Sequence, residues 1–137
     1  MYVRSLSKKS WNLIEVVDSA GVGTVSGFLA HLGANKQREA TRMAALFDRV
    51  AVHGPRQGTA KCHQIQGEIW ELIHGSLRVL FAHDGNRLIL CTSGFVKKSQ
   101  KTPKREIQRA ERTLSEFRAA RDQDLLEWVE DDQQERK

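Results

Sequence analysis

The sequence of this 137-residue chain predicts an α+β fold, an N-terminal helical hairpin packed on a three- to four-stranded, mainly antiparallel sheet and followed by a C-terminal helix. Three observations carry that prediction. Apolar residues recur at spacings of three and four between Ala40 and Ala51, the period of a helix face. From residue 61 the period shortens, and four short runs rich in β-favouring residues follow one another. Beyond them Ile107, Ala110, Leu114 and Phe117 form a second, narrower helical seam.

The elements follow in order. A brief strand is expected near residues 1–4 or 11–17. The stretch SAGVGTVSGFLAHLGAN holds four glycines, and its Val25, Phe28, Leu29 and Leu32 suit a short helix. From Asn35 a longer helix buries Ala40, Met43, Ala44, Phe47, Val50 and Ala51. Gly54-Pro55 ends it, because proline disfavours helix at itself and at the preceding residue. The runs KCHQIQ, EIWELIH, LRVLFAH and RLILCTS are divided by Gly67, by Gly75-Ser76 and by Asp84-Gly85-Asn86, which reads as an antiparallel meander. If Asp84-Gly85 closes a tight hairpin, Phe81 lies across from Leu88 and Arg78 across from Cys91. Thr102-Pro103 opens the last helix, with Thr102 as N-cap and Pro103 at the first helical position. Leu125, Trp128 and Val129 continue or resume it, and the helices are expected on one face of the sheet.

Length and an ordinary balance of 39% hydrophobic and 28% charged residues suit one domain, residues 1–121, followed by an acidic extension, 122–137. No run approaches the length of a membrane span and no apolar segment follows the basic start, so a cytoplasmic protein is expected. Cys62 and Cys91 lack a metal-ligand spacing and read as reduced, partly buried thiols. Charge is distributed unevenly. The net charge is +5 overall, +6 within residues 96–121 and −5 within 122–137. A basic segment beside an acidic tail fits a surface that binds polyanions, with the tail either a competitor for that surface or a solvated terminus.

Phosphate-loop, dinucleotide-binding and zinc-protease motifs are absent, as is a serine-nucleophile elbow. The five histidines are scattered over different predicted elements, so neither a metal nor another cofactor is expected. What remains is a set of cations. Arg78 lies mid-strand between Leu77 and Val79, where it either snorkels to solvent or presents its fork of donors to an anion. Lys97, Lys98, Lys101, Lys104 and Arg105 fall within nine positions directly after the meander. Phe95 either stacks on a base or packs in the core. Converging arginine and lysine suit the extra charge that develops on phosphorus during transesterification, and RNA brings its own nucleophile in the 2′-hydroxyl. Glu71 and His74 are candidate proton acceptors, with His83 a weaker one.

Residues 69–117 carry a pattern: Trp70-Glu71-Leu72, then Arg78-Val79, then Gly94-Phe95-Val96-Lys97-Lys98 and Thr102-Pro103. It resembles the phage-derived branch of the RelE-like toxins, close to HigB. The likeness covers roughly residues 35–120, and the helix ending in VHGP sits where these toxins carry one. The resemblance implies a RelE-like fold and the toxin of a type II toxin–antitoxin pair. Such a toxin is a metal-independent endoribonuclease that cuts mRNA, usually on the ribosome, and inhibits translation until an antitoxin, often a helix-turn-helix (HigA-like) protein, silences it. On that reading Arg78, Lys97 and Lys98 contact the scissile phosphate, with Glu71 or His74 for proton transfer. Lys101, Lys104 and Arg105 then hold flanking backbone and Phe95 supports the site. Ile73-His74 stands where the pattern has arginine, Leu77 where it has an aromatic residue, and the segment after Arg121 has no counterpart. Two other classes share the basic surface: a non-catalytic nucleic-acid-binding accessory protein of a phage or mobile element, and a gyrase-inhibiting toxin of the same superfamily.

Overall fold

The computed structural model describes residues 1–56 and 61–130. Its centre is a seven-stranded sheet in the order β3-β4-β5-β6-β2-β1-β7. The strands are β1 (Tyr2–Lys8), β2 (Asn12–Val17), β3 (Cys62–Gln66), β4 (Ile69–His74), β5 (Leu77–His83), β6 (Leu88–Val96) and β7 (Glu127–Trp128). Residues 62–96 form the meander expected from their alternation. The sheet is nevertheless larger than expected, because both N-terminal runs are strands. They pair as a hairpin, and β2 docks parallel to β6.

Helices cover both faces, in contrast to the single covered face expected. On one face lie α1 (Ser26–Ala30) and α2 (Gln37–His53), and on the other α3 (Lys104–Asp122). The strand pattern requires this. Leu77, Val79 and Phe81 pack with α2, whereas Leu80 and Ala82 on the alternate face pack with Ala110, Leu114 and Phe117 of α3. A sheet apolar on both faces buries them only between two helical layers. The expected helical hairpin is not formed as such: α1 has five residues and a 3-10 turn, Ala34–Lys36, leads into α2. The seam of α2 is as read except at one position, where Leu46 is buried and Ala44 exposed.

Three local readings change. The β5–β6 loop has four residues, Asp84 to Arg87, of which Gly85, Asn86 and Arg87 all have positive φ. A register shift also falls between Leu80 and Phe81, so Phe81 faces Cys91 and Arg78 faces Phe95 rather than Cys91. Pro103 takes the N-cap position, and Thr102 turns its hydroxyl elsewhere. Finally, α3 stops at Asp122 and the chain reverses at Asp124, whose φ is 59°. Residues 127–128 then add to the sheet edge beside Tyr2 and Val3, so the start of the extension belongs to the fold, and residues 131–137 lie outside the described part. Cys62 and Cys91 are both buried, and no disulfide joins them. Among the described residues no helix is long and apolar enough to cross a membrane.

Candidate functional site

The site grows from the β4–β5 turn. Gly75 adopts φ +56°, and a Cβ there would lie 2.0 Å from the Glu39 carboxylate, so any other residue would strain the turn and push that carboxylate from its place. Glu39 of α2 accepts hydrogen bonds from the Ser76 backbone (2.8 Å) and hydroxyl, and Lys36 lies 3.4 Å away. These donors, the Ser76 backbone first, hold its carboxyl below the usual carboxylate range. The turn is thereby clamped to the start of α2. On its other side the Lys97 amide donates to Ser76 O at 2.8 Å, and the lysine loop leaves the sheet at this point.

Strand pairing places Glu71 opposite Leu80 on the face that α3 covers, with Arg78 opposite both Ile73 and Phe95 on that face. His63 of β3 stands in register with Glu71. The Glu71 side chain is 1% exposed, and its Oε2 accepts a 2.6 Å hydrogen bond from the Thr102 hydroxyl. Its Oε1 lies 3.6 Å from His63 Nε2 and 3.8 Å from Arg78 Nε. Arg78 is 11% exposed, and its Nη1 donates to Gly75 O (2.7 Å) and Leu77 O (2.9 Å). Its Nε is buried without a hydrogen-bond partner. Arg78 therefore does not snorkel. It is held beneath the turn by these two carbonyls, with its Nε facing the Glu71 carboxylate at 3.8 Å. His63, 42% exposed, is the member of the cluster that reaches solvent.

Thr102 links the cluster to the cations. By bonding to Glu71 it draws the far end of the loop back over β4, so the segment from Lys97 to Thr102 is anchored at both ends near Arg78. Lys98 and Lys101 are exposed and Lys97 half-buried. Among the described residues none of the three is in an ion pair. Lys104 and Arg105 continue the exposed basic run on the first turn of α3, where Arg105 lies 4.0 Å from Glu106. The observed register brings Arg78 four residues closer to the lysines than the tight-hairpin reading did.

Other candidates fall elsewhere. His74 pairs with Leu77 on the α2 face, the opposite side of the sheet from Arg78. Burial first, then Lys61 and Arg42, hold it below the ordinary histidine range. His83 lies at the far end of β5, its ring 5.9 Å from Trp11 and 5.4 Å from Trp70. Phe95 is 9% exposed and packs with the α3 core, so of its two readings core packing holds. Gly94 pairs with Val79 in the sheet, and a Cβ on it would run into the ring of Phe28 from α1. The residue that sequence reasoning missed is His63. Counting back from the Gly67-Glu68 turn places Gln64 across from Glu71 and turns His63 to the other face. The register shift between Gln64 and Gln66 reverses both, and no residue type there signals it. Among the described residues no group of three or more histidine, cysteine or acidic side chains is assembled to hold a metal ion.

The model of the family described as Phage derived protein Gp49-like (DUF891) matches residues 29–115. That span runs from α1 into α3 and contains every residue of the cluster and of the lysine loop. No curated protein matches. With well over half of its length matched, the chain belongs to the phage-derived Gp49-like family, a toxin-like family of toxin–antitoxin systems.

Proposed function

We propose that this protein is the toxin of a type II toxin–antitoxin pair and acts as a RelE-like, HigB-type endoribonuclease on mRNA. The observation that carries the reading is the buried Glu71 carboxylate between His63 and Arg78, roofed by Thr102 and bordered by the lysine loop. In the proposed reaction His63, oriented by Glu71, takes the proton of a ribose 2′-hydroxyl. The 2′-oxygen attacks the adjacent phosphorus and the P–O5′ bond breaks, leaving a 2′,3′-cyclic phosphate and a 5′-oxygen that takes a proton from water to become the 5′-hydroxyl. Arg78, with Lys97 and Lys98, stabilises the charge that builds on the phosphoryl oxygens. Lys101, Lys104 and Arg105 hold the flanking backbone, and Phe95 acts from within the core by supporting the strand that carries the loop. His74 is left out of the reaction, because it stands on the opposite face.

The test is mapping of cleavage sites on a defined mRNA by primer extension, with and without 70S ribosomes. Discrete cuts are expected from the wild type. Arg78→Ala is expected to lower the rate by about a hundredfold or more, as loss of a preorganised charge stabiliser does, and His63→Gln to lower it with the fold intact. Intact RNA in every lane, with all proteins folded, would reject the ribonuclease reading. Blocked DNA supercoiling in its place would assign the protein to gyrase inhibition, and binding without either activity to an accessory module. A cognate antitoxin that abolishes cleavage on mixing is the partner this reading requires.

A further inference from the structure

A second cationic feature lies on the other side of the sheet. Between the C-terminal half of α2 and β3 is a cavity of about 360 Å³, floored by apolar side chains such as Leu46 and Leu72. Arg49, His53, Arg56 and Lys61 line it, and no described lining residue is acidic. Further along this face Lys61 and Arg42 also act on His74, opposed there by Glu39. A concave, carboxylate-free cluster of cations concentrates an anionic ligand.

Its position connects it to the site already described. β3 is one of the two edge strands, and its consecutive residues Cys62 and His63 point to opposite faces: Cys62 lines the cavity, and His63 meets Glu71. A chain passing over this edge meets cations on both sides. We propose that the cavity is a second phosphate-binding subsite, which takes the backbone of single-stranded RNA a few nucleotides from the bond held at Arg78. This proposal rests on the ribonuclease reading for the identity of the chain. Phosphates are the anions chosen because the site across this edge is read as one that holds RNA, and the same strand continues past it.

The experiment measures fluorescence anisotropy with labelled 2′-O-methyl oligonucleotides, which have no free nucleophile and so report binding whether or not the protein cleaves RNA. Probes of about twelve and about three residues separate a long path from the central site. The variant Arg49→Ala/Lys61→Ala alters two exposed side chains and leaves the core intact. For the longer probe its affinity is expected to fall about tenfold, and the slope of log affinity against log salt to fall by about 1.4, the loss of two contacts to a single strand. The short probe is expected to bind both proteins equally. Unchanged affinity and slope for the longer probe, or an equal loss for both probes, would overturn the subsite. A polyglutamate peptide that binds the wild type as tightly as the longer probe, and weakens as much in the variant, would assign the cavity to an acidic protein segment and also overturn it. Failure of the ribonuclease reading would appear separately, as wild-type protein that leaves natural RNA uncut.

Discussion

The hydrogen bond from Thr102 to Glu71 is the joint on which the lysine loop depends, and its strength follows from the geometry. The donor–acceptor distance is 2.6 Å and the accepting carboxylate is 1% exposed, so water cannot replace a lost partner. Hydrogen bonds to charged groups contribute about 1.5–3 kcal/mol. Thr102→Val keeps the shape and removes the donor. It is expected to destabilise the protein by about 2 kcal/mol, or to lower Tm by roughly 6–8 °C for a chain of this size. Because a charged acceptor bonds roughly twice as strongly as a neutral one, the same substitution in a Glu71→Gln background is expected to cost only about 1 kcal/mol. Urea unfolding of the four proteins at pH 7 gives the coupling directly, expected near 1 kcal/mol. Additivity to within about 0.3 kcal/mol, or a Thr102→Val protein as stable as the wild type, would refute the argument that this bond ties the loop to the sheet.

Two other outcomes follow from the same structure. Burial holds the His83 imidazole below its ordinary range, so on acidification the unfolded chain takes up the proton first. That contribution to stability is complete above about pH 6.5 and is lost as pH falls below it. His83→Phe is therefore expected to show a shallower decline in urea midpoint between pH 7.5 and 5.5, and a decline as steep as the wild type's would contradict this. Arg118 fastens α3 by a fork to Glu68 at 2.7 and 2.9 Å and by Nε to the nearly buried Asp84 at 3.1 Å. Arg118→Lys is expected to lose about 1–2 kcal/mol, since an ammonium cannot reproduce the planar fork; a variant with the wild-type urea midpoint would rule out that role.

The meander, the seam of α3 and most of the seam of α2 were legible because each is local. Period-two and helical spacings record which face of an element is buried, whatever that element packs against. The same is true of Arg78 and the lysine cluster, whose residue types and order along the chain place a run of cations directly after the meander. The placement of α3 on the opposite face from α2 was within reach, since Leu80 and Ala82 are as apolar as Val79 and Phe81, but only the packed layers make that consequence plain.

The composition of the cluster was decided by long-range pairing. Register shifts at Gln64–Gln66 and Leu80–Phe81, with the four-residue β5–β6 loop, determine that His63 joins Glu71 and that Arg78 lies across from Phe95. A shift by one residue turns a side chain to the other face of a sheet, and nothing in the residue types of those segments records it. The two N-terminal strands and β7 are of the same kind: each is a short run stabilised by neighbours distant in the chain, as Met1 and Leu125 show through the 2.9 Å bond between them. The sequence by itself thus determined the meander, the last helix and most of the seam of α2, together with the cations they carry. The tertiary structure decided which carboxylate and which histidine stand beside Arg78, because strand register is an energy of the whole sheet rather than of any one strand.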